Sequence, residues 1–438
     1  MNVHDSERLA GLLEQAGYIP SSSDADADVV VVNTCSVREK AEDKLFSRLG
    51  ELRVIAEARG TRPVVVVAGC VAQQEGDRLR ARSRLVDIVL GTQSLKQLPS
   101  LLERLEAARR PLIDVDAHDD VSFPLGVARR FDPVKASVTI VEGCDDFCAF
   151  CVVPHTRGRE RMRASAEILA EVREAAETGR TEIHLLGQIV NHYTAPDRDG
   201  CDFATLLGLV AAVPGVERVR FASPHPRHVT PRLIEVMATT PQVCRHLHLP
   251  VQSGSSRMLA AMRRRHDRDD YLALVEDVRT AMPDIAITTD VIVGFPGETE
   301  HDFQETLSIV EAVRYHAMFS FKYSSRPNTL ARKRLPDSVP DVEKADRLQA
   351  LQELQHGIQL ELHRGVIGRT VAVLADGASK RRRGELTGRT SGNTPVNFPA
   401  PPALVGRLVA VSVRRAGPNS LWGEMPHGRA DEGASHAD

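Results

Sequence analysis

The chain has 438 residues, of which 42% are hydrophobic and 26% are charged, and its formal net charge is -3. This length accommodates two or three domains with their own cores, and no apolar stretch is long enough to cross a bilayer, which argues against a membrane protein. The small negative net charge provides no global attraction to nucleic acid, so any RNA contact must come from local clusters of Lys and Arg.

The N-terminal part of the chain alternates helical and strand-like patterns. Its first seven residues contain neither a basic start nor an apolar run, which predicts a cytoplasmic protein. Apolar runs at 29–32, 64–67 and 85–90 predict buried strands, so we expect an α/β fold that begins with a doubly wound parallel sheet. Cys35 and Cys70 follow two of these strands closely. They stand where ligands collect in such a sheet.

A second region follows a segment, residues 109–133, whose mixed Asp, Pro and Arg composition predicts a linker. Six strand-like runs alternate there with helical patterns, which predicts a parallel partial barrel of six β/α units. The active site of such a barrel lies on the loops that follow the strands. The predicted strands are 137–141, 182–186, 216–222, 246–251, 285–293 and 318–323.

The C-terminal region has a different pattern of predicted secondary structure. A polar helix over residues 342–362 leads into short strands that are separated by turn residues, which predicts a small antiparallel β-barrel. We expect the tail from residue 426 to residue 438 to be disordered. The predicted strands are 370–374, 385–389, 408–413 and 420–423.

The strongest functional signal is a cysteine motif directly after the first predicted barrel strand. Cys144, Cys148 and Cys151 are separated by three and then two residues. Three thiolates on one loop can ligate three irons of a four-iron cluster and leave the fourth iron open. That iron can chelate S-adenosylmethionine, and an electron from the cluster can then release a deoxyadenosyl radical. The spacing therefore predicts a radical S-adenosylmethionine enzyme, with Phe150 lining the nucleoside pocket.

The cysteines also allow other interpretations. There are seven, an odd number, and a chain without a secretion signal favours metal binding or catalysis over disulfides. A structural zinc site is the alternative, although zinc usually takes four ligands from paired short spacings and no matching second pair follows. We interpret Cys201 and Cys244 as structural or incidental.

The cysteine motif and the residues after it, up to Glu160, resemble the methylthiotransferases. Residues 33–41 and 69–73 are similar to the N-terminal domain of that family, and the C-terminal barrel resembles its TRAM domain. Residues 186–193 are similar to the MiaB-type tRNA enzymes, more than to the branches that act on ribosomal protein or on threonylcarbamoyl-adenosine. The resemblance implies three domains, which are an N-terminal methylthiotransferase domain over 1–115, a radical SAM core over 130–362 and a TRAM domain over 363–427.

What the resemblance implies is a tRNA methylthiotransferase that inserts a methylthio group at carbon 2 of isopentenyl-adenosine beside the anticodon. Two molecules of S-adenosylmethionine are used, one for the methyl group and one for the radical. A second [4Fe-4S] cluster, in the N-terminal domain, supplies or carries the sulfur, and Cys35 and Cys70 match two of its three ligands. The third family ligand precedes a Met-Asn pair, and this chain begins with Met1 and Asn2. We expect a start codon upstream, because a missing first strand also exposes a sheet edge; the alternative is a poorly held second cluster.

Further pocket residues are implied by family motifs at the ends of predicted strands, over 249–255 and 290–298. Their glycines permit close approach of the backbone to a ligand, although tight turns without a ligand contact are an alternative. Ile292 and Gly294 are implied at the adenine, and Gln188 and Asn191 near the reaction centre. The full set of implied pocket residues is Phe150, Gly187, Gln188, Asn191, Gln252, Ile292 and Gly294.

Basic residues cluster over 157–163, 263–265 and 380–383. On a small β-barrel, Lys380 to Arg383 are predicted to neutralise phosphates of the tRNA anticodon stem-loop, and the target base must leave its stack. We also expect an electron donor such as flavodoxin or ferredoxin, a sulfur donor, a monomer and no membrane partner. Two alternatives remain: a methylthiotransferase for threonylcarbamoyl-adenosine tRNA or ribosomal protein, and an RNA-binding protein with impaired catalysis.

Overall fold

The computed structural model describes residues 1–36, 39–108, 110–116, 118 and 126–426. Three regions follow one another along the chain: a parallel sheet with helices, a partial barrel of parallel strands and a small closed barrel. None of the described helices combines the length and the apolar character needed to cross a membrane. Several predicted features lie outside the described residues, namely positions 37 and 38 of the segment after Cys35, positions 109, 117 and 119–125 of the linker, and the tail from 427.

Among its described residues, the first region has four strands and five α-helices. Its strands are β1 (Val29–Thr34), β2 (Val64–Gly69), β3 (Ile88–Leu90) and β4 (Leu112–Asp114). Its helices are α1 (Asn2–Gln15), α2 (Glu39–Arg59), α3 (Cys70–Glu75), α4 (Asp77–Arg82) and α5 (Leu98–Ala108). The strands form one parallel sheet in the order β1-β2-β3-β4, which confirms the predicted parallel sheet.

Helices cover both faces of this sheet because successive strand residues point to opposite sides. Val65 and Val67 of β2 pack in a cluster with α2, α3 and α4, whereas Val66 and Ala68 pack in a cluster with α1 and α5. The prediction of a linker from residue 109 is wrong over β4, a three-residue edge strand. Its pattern is too short to separate from a loop until it pairs with β3.

The second region holds six parallel strands in two sheets, β5-β8-β9 and β10-β11-β12, which a bridge between Val219 and Val243 joins. This arrangement confirms the predicted partial barrel. A separate antiparallel pair, β6 with β7, accompanies the six parallel strands. The strands of the region are β5 (Lys135–Thr139), β6 (Val141–Glu142), β7 (Arg161–Met162), β8 (Glu182–Leu186), β9 (Arg218–Phe221), β10 (His246–His248), β11 (Ala286–Val293) and β12 (Ala317–Lys322).

Nine α-helices accompany the barrel. They are α6 (Val153–Arg157), α7 (Ser165–Glu177), α8 (Phe203–Ala211), α9 (Pro231–Thr239), α10 (Ser256–Ala261), α11 (Arg268–Ala281), α12 (Glu300–Val313), α13 (Leu330–Arg334) and α14 (Asp341–Arg364). The sequence patterns do not predict α9, although it carries a start signal. Thr230 accepts a hydrogen bond from the Leu233 N–H, and Pro231 stands in the first turn.

The third region is a closed five-stranded barrel in the order β13-β14-β15-β17-β16. Its strands are β13 (Thr370–Ala378), β14 (Glu385–Thr390), β15 (Pro395–Pro399), β16 (Leu408–Ala416) and β17 (Leu421–Glu424). The predicted small barrel is confirmed, with two differences. Strand β15, which begins and ends with Pro, is not predicted. It pairs in parallel with β17, whereas the other pairs are antiparallel, because closure brings these two strands side by side.

The small barrel packs against the amino ends of the parallel strands. Arg220, in β9, donates to the carbonyls of Thr390 at 2.7 Å and Ser391 at 2.9 Å. Lys135, at the start of β5, forms an ion pair of 2.7 Å with Asp376. The opposite, carboxyl ends of the strands are thus left to face the N-terminal sheet.

Candidate active site

One cavity of about 500 Å³ lies between the N-terminal sheet and the carboxyl ends of the barrel strands. The structure brings all five cysteines that were predicted as ligands to its wall. Four of the other predicted pocket residues line it as well, so chain segments far apart in sequence meet here. These residues are Cys35, Cys70, Cys144, Cys148, Cys151, Phe150, Gly187, Gln188 and Gln252.

The three-cysteine loop is held at its base by the pairing of β6 with β7, where Glu142 faces Arg161. Gly143 has a φ of +78°, and a Cβ there would lie 2.0 Å from the Arg159 carbonyl oxygen, so only glycine fits. Within the loop, the Cys151 N–H donates to the Cys148 carbonyl at 3.0 Å. These contacts turn the loop back on itself, and its three cysteines line the cavity.

Burial raises the pKa of Cys144 and of Cys151 to about 12 each, so both thiols are neutral near pH 7 until a metal displaces their protons. No disulfide joins any two of the described cysteines. In the described part of the chain, no three His, Cys, Asp or Glu side chains are grouped to hold one metal ion. The donor set is soft sulfur spread along one loop, which fits an iron-sulfur cluster.

Cys35 and Cys70 come from adjacent strands of the N-terminal sheet. Strand β1 ends at Thr34, which is in register with Gly69 at the end of β2, so the two cysteines follow neighbouring strand ends. Gly69 has a φ of +92°, and a Cβ there would lie 2.3 Å from Asn33 Oδ1. Both cysteines therefore lie at the carboxyl edge where the sequence predicts them.

Polar contacts join the N-terminal region to the segment after the cysteine loop. Arg157 forms a buried ion pair of 2.6 Å with Asp5 of α1. Gln93 Nε2 donates to the Arg157 carbonyl at 3.1 Å, and the Thr92 hydroxyl donates to the Thr156 carbonyl. These contacts keep the two sets of cysteines on one cavity.

Two glutamines at the wall show features of a ligand site. Gln188 Oε1 is buried and has no hydrogen-bond partner among the described residues, while its Nε2 lies 2.6 Å from Met1 Sδ. Gln252 has a φ of +74°, which is rare for a residue with a side chain. Its N–H donates to the Asp290 carbonyl at 2.9 Å, which stabilises this conformation. Backbone strain of this kind concentrates at functional sites.

The structure does not bring three of the predicted pocket residues to the cavity wall. The Asn191 amide group is buried and exchanges two hydrogen bonds with the His225 backbone, at 2.8 and 2.9 Å. Ile292 packs against the same apolar cluster as Phe150. A Cβ at Gly294 would lie 2.3 Å from the Lys344 side chain. The ligand contacts of these three residues stay predictions.

The glycine at position 254 likewise fits against protein. A Cβ there would lie 2.4 Å from the Glu305 carbonyl oxygen in α12, so this position allows close packing of the helix. At Gly254 and Gly294 the missing Cβ therefore makes room for helix α12 and for the Lys344 side chain, and contact of a ligand with the backbone of these glycines stays a prediction.

Several wall residues are not predicted from the sequence: Asp146, Ser223, His225 and Arg264. Burial, followed by the charge of Arg264, lowers the pKa of His225 far below its ordinary value, so this imidazole is neutral. Ser223 and His225 directly follow the third predicted barrel strand, and this position could have identified them as candidate site residues. Nothing in the local pattern marks Arg264, which only the fold brings to the wall.

Comparison with known families agrees with the three regions. Residues 1–91 match the family described as "Uncharacterized protein family UPF0004", residues 138–310 match the Radical SAM superfamily, and residues 366–425 match the TRAM domain. Among solved structures, the radical S-adenosylmethionine methyltransferase TsrM from Kitasatospora setae, with cobalamin and a [4Fe-4S] cluster bound, has a TM-score of 0.53 at 16% identity. That likeness covers 84% of this chain and 72% of TsrM, and it shows the fold.

Curated relatives resemble the chain over almost its whole length. It is 46% identical over 429 residues to the tRNA-2-methylthio-N(6)-dimethylallyladenosine synthase of Geobacter metallireducens, which covers 97% of this chain and 96% of the relative. It is 44% identical over 430 residues to the synthase of that name from Moorella thermoacetica, covering 98% and 96%. The chain therefore belongs to the tRNA-2-methylthio-N(6)-dimethylallyladenosine synthase family, within the radical SAM superfamily.

Proposed function

We propose that the chain inserts a methylthio group at carbon 2 of isopentenyl-adenosine beside the tRNA anticodon. Its relatives carry the name of this reaction. The observation that supports the proposal is the meeting of two sets of cysteines, from the N-terminal sheet and from the barrel loop, on one cavity. A reaction that needs both a radical and a sulfur source requires the two to act on the same atom, and a shared cavity permits this.

The family uses [4Fe-4S] clusters and S-adenosylmethionine. Cys144, Cys148 and Cys151 would hold the cluster that takes S-adenosylmethionine, and Cys35 and Cys70 would contribute to the second cluster. When bound, these groups supply the electron, the radical, the methyl group and the sulfur. The protein supplies ligands and orientation, on one cavity shared by both sets of cysteines.

We assign separate roles in ligand binding to the residues around the cysteines. The unpaired Oε1 of Gln188 is an acceptor for a hydroxyl or amine of a bound ligand, because a buried acceptor without a partner is costly. Phe150 and Ile292 share one apolar cluster and provide a face for a nucleoside. Asn191 acts through His225, whose backbone it holds at the cavity wall. Gly187, Gln252 and Gly294 complete the set that we assign to the pocket.

The partners follow from this chemistry. The substrate is the tRNA anticodon stem-loop, whose adenosine must leave its stack to reach the cavity at the carboxyl ends of the strands. A small electron carrier such as flavodoxin or ferredoxin would reduce the cluster, and a sulfur donor would restore the second one. We infer a cytoplasmic monomer with domains over 1–115, 130–362 and 363–427.

The experiment is to express the chain in a bacterial strain that lacks its own methylthiotransferase and to analyse the tRNA nucleosides by mass spectrometry. We expect methylthiolated isopentenyl-adenosine, and we expect Cys148→Ala to abolish both it and deoxyadenosine formation by the anaerobically reconstituted protein. Cys244→Ala is the matched control, because Cys244 is buried away from the cavity. Methylthiolation of threonylcarbamoyl-adenosine or of a ribosomal protein instead, or full product from Cys148→Ala, would contradict the proposal.

A further inference from the structure

Arg264 is a buried cation at the cavity wall, with 6% of its surface exposed. Its Nη2 donates to the Pro250 carbonyl at 2.9 Å, and its Nη1 lies 3.7 Å from Cys148 Sγ. Its Nε has no hydrogen-bond partner among the described residues. The guanidinium therefore makes one full hydrogen bond to protein and directs a second donor at a cysteine sulfur.

The other buried arginines of the described chain are better satisfied. Arg218 donates to two backbone carbonyls, at 2.6 and 3.0 Å. The remaining four each have a carboxylate oxygen at 2.6 to 3.1 Å, and they are Arg8, Arg157, Arg220 and Arg347. Within the described residues, Arg264 forms no ion pair with a carboxylate. A guanidinium does not lose its charge in proteins, so burial of one is costly unless hydrogen bonds or a counter-charge compensate.

The sulfur of Cys148 indicates what that counter-charge is. A thiolate that ligates iron keeps negative charge, and the cluster becomes more negative when it accepts an electron. A fixed cation beside one of its sulfurs favours the reduced form, since hydrogen bonds to the sulfurs and net charge set the potential of iron-sulfur clusters. Water screens this interaction little, because the guanidinium is buried.

We propose that Arg264 tunes the cluster of the three-cysteine loop, raising its reduction potential through its charge and its N–H contact to Cys148. This inference rests on the proposed function, because it requires a cluster on that loop. It assigns to Arg264 a role in how readily the cluster accepts its electron, distinct from ligation and from S-adenosylmethionine binding. The basic run over 263–265 thus contains one residue that faces inward.

The test is a redox titration of the reconstituted protein without S-adenosylmethionine. Electron paramagnetic resonance measures the reduced cluster at each potential. A Cys35→Ala, Cys70→Ala background isolates the cluster of interest. We expect Arg264→Gln to lower the equilibrium constant for one-electron reduction at least tenfold, which is a fall of about 59 mV. Arg264→Lys should stay within about threefold of the parent, because it keeps the charge. Arg263→Gln is the matched control, since this exposed neighbour loses the same charge without contacting the loop.

Unchanged potentials in an iron-loaded Arg264→Gln protein would overturn the proposal, and so would a change confined to S-adenosylmethionine affinity. If the Gln variant fails to take up iron, the Arg264→Lys variant tests the proposal. A tenfold fall in the equilibrium constant for reduction of the iron-loaded Lys variant would contradict a charge effect. The proposed function fails separately, if the unmutated chain takes up no cluster or yields no methylthiolated nucleoside.

Discussion

Three residues with side chains adopt left-handed backbone conformations around the cavity. Phe147 has a φ of +47°, Ser223 of +59° and Gln252 of +74°. Each conformation costs about 1 kcal/mol or more, and it persists only where surrounding contacts determine it. For Gln252 those contacts are backbone hydrogen bonds, including one from the Ile292 N–H to its carbonyl at 2.9 Å. The cavity wall is therefore shaped before any ligand binds.

The two sets of cysteines should be separable by mutation. In Cys70→Ala the loop of Cys144 to Cys151 is untouched, so S-adenosylmethionine cleavage should continue while methylthio product falls at least tenfold. The measurement is deoxyadenosine and modified nucleoside, quantified in the same anaerobic reaction. A proportional loss of both would show that Cys70 serves the first cluster or the fold instead, and Cys244→Ala controls for loss of a buried thiol.

The small C-terminal barrel is an element whose position constrains the RNA. It packs on the amino ends of the parallel strands, whereas the cavity lies at their carboxyl ends. A parallel strand rises by about 3.3 Å per residue, so the two ends of a six-residue strand such as β12 are on the order of 20 Å apart. An RNA that contacts both must extend along the outside of the barrel, which suits a stem-loop better than a single nucleotide.

Charge reversal in the turn between β13 and β14 tests this geometry. Arg381 and Arg383 are exposed there, so Arg381→Glu with Arg383→Glu should weaken tRNA binding several-fold and reduce its salt dependence by about one unit of slope for each phosphate that these arginines neutralise. Binding is measured by titration at several salt concentrations. The control reverses two exposed arginines elsewhere, Arg53 and Arg173. An unchanged salt slope would remove this turn from the tRNA interface.

At the scale of the whole molecule, buried histidines link stability to pH. Burial lowers the pKa of His4, in α1, to about 4, and it lowers the pKa of His316, directly before β12, to about 4. An unfolded chain binds these protons near pH 6.5. Folded-state pKa values below the unfolded ones mean that the unfolded state takes up more protons, so acid favours unfolding between about pH 6.5 and 4.

We expect the free energy of unfolding to fall as the pH drops from 7 to 5.5, by about 1 kcal/mol for each of these two histidines. The measurement is anaerobic denaturant unfolding at both pH values. A His4→Gln, His316→Gln protein should show a smaller pH dependence than the parent, and because both proteins carry the same cysteines, acid loss of clusters affects them equally. Identical pH dependence would mean that these imidazoles have the same pKa in the folded and the unfolded protein.

The sequence by itself determined the radical chemistry, because the spacing of Cys144, Cys148 and Cys151 is a local property that places three thiolates on one loop of any compatible fold. It also determined the order of sheet, partial barrel and small barrel, since valine runs and helical periodicity report burial along a continuous segment. Short elements such as β4 and β15 were not predicted, because a segment of a few residues forms a strand only when it pairs with a neighbouring strand.

Only the tertiary structure decided which residues share the cavity. It brought Cys35 and Cys70 to the cavity wall beside the barrel cysteines, whereas Asn191 is not at the wall and binds the backbone of His225. At Gly254 and Gly294 other parts of the protein occupy the space that a side chain would need. It also turned Arg264 inward between two arginines that face solvent. The physical reason is that burial and counter-charge depend on contacts between segments far apart in the chain, and a linear pattern does not contain those contacts.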